Sequence, residues 1–186
     1  WQRYEAIGVD TPKKLLNPIV WDSYIDNDNR LWLATDFQGI SVFDNKKQTF
    51  THYPWKRIVP QLLPQYKGRY FSVLKILPKT NDELWLATTF GLVVFNKVTG
   101  KYSVAGHGYE TYSLEMIYNR AQAKVFITLS GNRIFCYDET KRSFNELTAM
   151  PIPYPSVSFS LPDIQYDWVG ASEGLMLIDA ASNKVY

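Results

Sequence analysis

Leu31-Trp32-Leu33-Ala34-Thr35, followed at Ile40-Ser41-Val42-Phe43-Asp44 by a second apolar run, is the stretch whose recurrence decides the fold of this 186-residue chain. The same pair of runs returns as Leu84-Trp85-Leu86-Ala87-Thr88 and Leu92-Val93-Val94-Phe95-Asn96. It returns again as Val125-Phe126-Ile127-Thr128-Leu129 with Ile134-Phe135-Cys136-Tyr137-Asp138. The last copy is Asp167-Trp168-Val169-Gly170-Ala171 with Leu175-Met176-Leu177-Ile178-Asp179. The anchor aromatics Trp32, Trp85, Phe126 and Trp168 stand 53, 41 and 42 residues apart. A period of roughly 40–50 residues with several short strands in each unit is the signature of β-propeller blades. Helical solenoids would need a 3.6-residue periodicity within each unit, and there is none.

Each unit divides into four short strands separated by turn residues. In the first unit these fall at about 19–25, 30–35, 40–43 and 49–53, with Asp26-Asn27-Asp28-Asn29, Asp36-Phe37-Gln38-Gly39 and Asp44-Asn45-Lys46-Lys47 as the turns between them. Asn and Asp suit such turns because their side chains bond nearby backbone and tolerate positive φ. Two residues after each anchor aromatic, on the same face of the strand, come Ala34, Ala87, Thr128 and Gly170. All are small, as blades require where they converge. Gly39, Gly91 and Gly174 sit in the turn between the second and third strands, where positive φ costs glycine nothing. Arg133 takes that position in the third unit. Asp44, Asn96, Asp138 and Asp179 each close a third strand and are placed to cap the turn that follows.

The reading is therefore all-β: four four-stranded antiparallel blades over 17–53, 70–104, 112–147 and 156–186, in a single propeller segment. Residues 1–9 read as the fourth strand of a preceding or closing blade. Two architectures follow, a small closed ring of four blades or an arc of a larger propeller, and the arc is preferred. Seven blades at this period would need ~300 residues. An arc leaves end faces and edge strands exposed, so self-association through the end blades is expected. Residues 55–69, with Pro60 and Pro64, form a long connection that accounts for the wider first spacing.

Composition narrows the classes. Apolar residues at 46% against charged residues at 20% exclude a disordered chain, and aromatics at 16% fit pleated, half-buried surfaces. Twenty basic residues against 18 acidic ones give a net charge of +2, with no basic stripe for nucleic acid. Cys136 stands alone, so no intrachain disulfide forms, and it reads as a small buried hydrophobe. No apolar stretch approaches the ~20 residues of a membrane span. The chain opens at Trp1 inside what reads as a strand, without a signal peptide or initiator Met, which is expected of a mature or excised segment.

The units resemble a known family. Asp26-x-x-Asn29-x-Leu31-Trp32-Leu33-Ala34-Thr35, with Gly39-Ile40 and Phe43-Asp44 after it, is similar to the two-component regulator propeller repeat. Leu84 to Leu92 and Trp168 to Leu175 match the same pattern, and the third unit matches in outline. The usual Gly-Thr is Ala-Thr in two units, which keeps a small residue there. The resemblance implies the periplasmic sensor region of a Bacteroidetes hybrid histidine kinase that senses glycan fragments and feeds a phosphorelay. The kinase and receiver domains of that family have no counterpart in these residues, and the membrane would be met only through other parts of the parent protein.

Catalytic chemistry finds no support in the sequence. His52 lies in a fourth strand and His107 in an Ala105-Gly106-His107-Gly108 turn, without acid partners or metal-ligand spacing. Asp26-Asn27-Asp28 has oxygen ligands but lacks the Gly and distal Glu of the 12-residue calcium loop, so it reads as a polar turn. No enzyme activity, metal or cofactor is expected of this segment. A binding role is better founded. Connections between second and third strands, and between successive blades, share one face of a propeller. That face would carry Asp36, Phe37, Gln38, Phe90, Asn132, Arg133 and Glu173, with Thr89, Ser172 and the 55–69 connection beside them. Aromatics among amides and carboxylates suit an oligosaccharide, which stacks and hydrogen-bonds. The alternative is a structural or protein-interaction propeller with no small-molecule site.

Overall fold

The computed structural model describes residues 13–54, 71–108, 113–129, 133–147, 155–159, 166–171 and 174–186. They form four four-stranded antiparallel sheets and no helix. The first sheet holds β1 (Val20–Ile25), β2 (Arg30–Thr35), β3 (Gly39–Asp44) and β4 (Thr49–Tyr53). The second holds β5 (Val73–Pro78), β6 (Glu83–Thr88), β7 (Gly91–Asn96) and β8 (Lys101–His107). The third holds β9 (Ser113–Asn119), β10 (Lys124–Leu129), β11 (Arg133–Asp138) and β12 (Ser143–Leu147). The fourth holds β13 (Pro155–Phe159), β14 (Tyr166–Ala171), β15 (Gly174–Asp179) and β16 (Lys184–Val185). In every sheet the strands lie in chain order, the topology of a propeller blade. The expected strand at residues 1–9 and the 55–69 connection lie outside the described residues.

Residues up to Val104 and residues from Ala105 onward make two compact units, the division falling within β8, so that Ala105, Gly106 and His107 belong to the second. In unit one the alternation of β2 turns Trp32 and Ala34 toward the second sheet, where they join Ile76, Leu84, Leu86, Phe95 and Tyr102 in one core. Trp32 is 1% exposed and lies 5.7 Å from Phe95. An aromatic of this size removes about 150–250 Å² from water, an upper bound of about 4–6 kcal/mol. Ala34 and Ala87 are fully buried, so the small residue after each anchor is a packing requirement. In unit two, Phe126, Ile134 and Cys136 pack on Val169, Met176 and Ile178 in the same manner. Thr128, in the small-residue position, has its hydroxyl buried without a hydrogen-bond partner.

The turn after each third strand is built alike in all four sheets. Asp44 Oδ1 accepts from the backbone N–H of Lys46 and Lys47, Asn96 Oδ1 from Val98 and Thr99, and Asp179 Oδ1 from Ala181 and Ser182. Asp138 Oδ1 accepts from Lys141. Four residues past each of these Asx caps the backbone is left-handed, at Gln48, Gly100, Arg142 and Asn183, with φ of 55°, 67°, 52° and 59°. Only one of the four is glycine, so the Asx cap imposes a conformation that the residue itself does not favour.

Two expectations are corrected. Gly39 has φ of 94°, yet Gly91 adopts no positive φ. The second turn is shorter, just Thr89-Phe90 between β6 and β7, and Thr88 Oγ1 closes it by donating to the Gly91 carbonyl and accepting from its N–H. His107 is not in a turn but ends β8, which runs three residues past Val104. Gly106, within that strand, is needed for space, because a Cβ there would stand 2.4 Å from Phe144 Cγ.

Candidate functional site

The first strand of every sheet carries a β-bulge at the same place. Register shifts fall between Val20 and Asp22, between Val73 and Lys75, opposite Thr128 and Leu129 in β9, and between Pro155 and Val157. A bulge inserts one unpaired residue and re-aims its side chain. In β5 the extra residue is Leu74, which is buried. In β1 it is Trp21, which is 45% exposed.

Trp21 is held rather than loose. Its Nε1–H donates to Asp36 Oδ1 at 3.1 Å, and Ser72 Oγ donates a short bond to the same oxygen. Asp36 itself is buried, and its N–H donates to the Ile19 carbonyl at 3.1 Å. Ser72 Oγ also accepts from the Phe37 N–H at 3.4 Å, while Thr89 N–H donates to the Ser72 carbonyl at 3.2 Å. Phe37 sits in left-handed backbone at φ 56° and is 39% exposed. A bulky residue in that region is uncommon and is sustained by its surroundings. Here the Ser72 bond and the Gly39 turn hold it. The result in unit one is two exposed aromatics, Trp21 and Phe37, joined through a buried carboxylate and a serine, with half-buried Gln38 beside them.

The expected site residues divide accordingly. Asp36, Phe37 and Gln38 lie in the turn between β2 and β3, Asp36 buried, Phe37 exposed and Gln38 half-buried. Phe90 does not join them: it is 1% exposed in an edge-on contact with Phe71, ring centroids 4.6 Å apart, and belongs to the core of unit one. A two-residue turn folds its side chain back over the sheet, whereas the longer first turn lets Phe37 point outward. In unit two, Arg133 is committed to Glu146 by two bonds of 2.7 and 2.8 Å and lies 5.1 Å from the Phe135 ring. That pairing pushes the Glu146 carboxyl below its ordinary value. Asn132, Ser172 and Glu173 lie outside the described residues. Trp21 was missed, because a tryptophan in a first strand reads as core unless the bulge is known.

At the opposite end of unit one lies a polar cluster of structural character. Asp26 Oδ2 accepts from Trp32 Nε1 at 2.8 Å and Arg30 Nε at 2.9 Å, and Oδ1 accepts from the N–H groups of Asp28 and Arg30, both at 3.0 Å. Lys97, from the turn between β7 and β8, approaches Oδ2 at 3.9 Å. Burial pushes this carboxyl up, but the bonds from Trp32 and Arg30 outweigh burial and hold it below the usual carboxylate range. Unit two repeats the device with the donor on the other sheet: Lys124 Nζ donates to the Ala180 carbonyl at 2.6 Å and to Asn183 Oδ1 at 2.7 Å. In both units a group at the start of one sheet's second strand, or in the turn just before it, meets the last turn of the next sheet. Asp26 is therefore a sheet-to-sheet tie, and its ligating oxygens are already engaged. Among the described residues no three His, Cys, Asp or Glu side chains gather into a metal-sized group.

No family model and no curated protein sequence matches this chain. Solved structures do resemble it. The extracellular domain of the putative hybrid two component system BT3049 from B. thetaiotaomicron superposes with a TM-score of 0.70 at 19% identity, covering 98% of this chain and 23% of that one. The extracellular domain of the putative one component system BT4673 from the same organism gives 0.68 at 15% identity, over 88% and 22%. The WD40 propeller domain of Doa1 gives 0.62 at 13% identity, over 87% and 51%. The fold is thus that of propeller blades, and the chain spans less than a quarter of the two B. thetaiotaomicron domains.

Proposed function

We propose that this chain is part of the extracytoplasmic, periplasmic sensor region of a hybrid two-component signalling protein, and that unit one contributes a surface for a glycan-derived ligand. Its fold likeness to the BT3049 and BT4673 extracellular domains supports the sensor assignment. Kinase chemistry and the phosphorelay would then belong to other parts of the parent protein, and this segment would be non-enzymatic.

The observation that carries the ligand reading is the bulge at Trp21. Burying that indole would have stabilised the sheet, yet it is held at the surface by Asp36, next to a Phe37 kept in unfavourable backbone. Sugar rings present C–H faces that stack on such aromatics and hydroxyls that bond to amides and carboxylates. Gln38 supplies an amide at the rim.

Intrinsic fluorescence titration of the chain with oligosaccharides released from plant and host polysaccharides tests this. A binder should change the tryptophan signal, and Trp21→Ala or Phe37→Ala should weaken binding by roughly 2- to 13-fold, from a stacking contribution of about 0.5–1.5 kcal/mol. A panel without response, or one whose response survives both substitutions unchanged, removes the ligand reading and leaves a scaffold or protein-interaction propeller.

A further inference from the structure

Two buried carboxylates in unit one have unlike surroundings. Asp26 and Asp36 are both 5% exposed. Asp26 meets the Arg30 guanidinium at 2.8 Å and the Lys97 ammonium at 3.9 Å. Asp36 forms no ion pair among the described residues. The two groups bonded to its Oδ1, the Trp21 indole N–H and the Ser72 hydroxyl, are neutral. No described group donates to Oδ2, which is not sealed from solvent.

A carboxylate withdrawn from water without a counter-charge is costly. The repeat shows that the fold does not require one here. Asp36 directly follows the second strand of its sheet, and in the same place Thr89 follows β6, Ser130 follows β10 and Ser172 follows β14. A small neutral residue therefore serves the other three sheets. The first sheet departs from the second at three neighbouring points. Trp21 replaces the buried Leu74, Asp36 replaces Thr89, and Phe37 is exposed where Phe90 is core. Together these changes set an unmatched negative charge beside two aromatics that are 45% and 39% exposed. Aromatic faces attract cations, and a charge-assisted hydrogen bond is about twice as strong as a neutral one.

We propose that the ligand of this surface is a basic amino sugar, its protonated amine donating to Asp36 Oδ2 while the sugar ring lies against Trp21 and Phe37. This rests on the ligand reading above and names the chemical class of that ligand. A sugar hydroxyl would bond the same oxygen but leave its charge unmatched. An acidic sugar would be repelled by it.

Trimers of glucosamine, N-acetylglucosamine and glucose with one common linkage differ only in an ammonium, an acetamide or a hydroxyl at the second carbon. Isothermal titration of the 186-residue chain with each, at about pH 6 and fixed low salt, keeps the sugar amine protonated and its charge weakly screened. The glucosamine trimer should bind roughly tenfold more tightly than the other two. Asp36→Asn removes the charge and keeps the shape, and Asp36→Thr installs the residue that the second sheet uses. Either should bring the glucosamine and glucose trimers to within about twofold of each other, with thermal melts checking the fold. A glucose or N-acetylglucosamine trimer that binds as tightly as the glucosamine trimer overturns the proposal while the ligand reading stands. The same holds if other oligosaccharides bind and the glucosamine trimer does not. An amine preference that survives both substitutions also overturns it, as does a lysine tripeptide that binds as tightly as the glucosamine trimer, since charge alone would then suffice. Silence toward every oligosaccharide removes the proposal and the ligand reading together.

Discussion

Replacing Asp26 with alanine should destabilise unit one far more than removal of a turn residue ordinarily does. The carboxylate is 1% exposed and gathers Trp32 Nε1, Arg30 Nε and two backbone N–H groups within 3.0 Å, with Lys97 Nζ at 3.9 Å. Arg30 is about a third exposed and rehydrates when its partner goes. Trp32 Nε1 and the Lys97 ammonium, 8% exposed, cannot. Removing one partner of a buried pair costs about 3–5 kcal/mol, and orphaning a buried donor about 1–3 kcal/mol. Partial rehydration of Arg30 sets the expectation at the lower end, about 3 kcal/mol. For a domain of this size each kcal/mol moves Tm by about 4 °C or more, so the melt of unit one should fall by roughly 12 °C. Asp26→Asn keeps the shape and the backbone bonds and should lose less, about 1–2 kcal/mol. The pH dependence follows from the sign of the shift. The folded carboxyl lies below its unfolded value, so its stabilisation is complete above about pH 4 and is lost as pH falls through the folded value. Tryptophan fluorescence melts of both variants at pH 7 and pH 3 measure this. A loss under about 1 kcal/mol for Asp26→Ala, or a gap to the unaltered chain that is the same at both pH values, would refute the assignment of Asp26 as the tie between sheets.

Lys124→Met keeps most of the apolar stem but leaves the Ala180 carbonyl and Asn183 Oδ1 without the Nζ donor, so urea melts should show a loss of about 1–3 kcal/mol in unit two; an unchanged midpoint would mean that water replaces the ammonium. Cys136 is buried and its thiol is pushed up to about 11, so it should resist alkylation at pH 8 in the native chain and react rapidly once urea unfolds it; rapid native-state labelling would contradict its packing on the fourth sheet.

Much of the fold was legible because each sheet carries its own signals. Trp32, Trp85, Phe126 and Trp168 fix the period, the small residue two places on fixes which face converges, and the four Asx residues fix the turns. These are local patterns, and local physics enforces them: alternation follows from the pleat, and an Asx cap closes its turn from within. Of the candidate site, only the turn positions were legible. Asp36, Phe37 and Gln38 could be assigned to a turn from sequence alone, but Phe90, in the equivalent turn of the next sheet, was assigned to the same face and proved to be core.

The sequence by itself determined the all-β class, the four-strand unit, the strand order and the faces on which the anchor aromatics lie. Only the tertiary structure decided which aromatic is buried and which is presented. Trp21 and Leu74 occupy the same bulge, and one is exposed while the other is covered. Asp26 reads as a solvated turn residue until Trp32 and Lys97 converge on it. The physical reason is that burial and pKa belong to the space between sheets, which is set by side chains far away in the chain, such as Ser72 for Asp36 and Lys97 for Asp26 at separations of 36 and 71 residues.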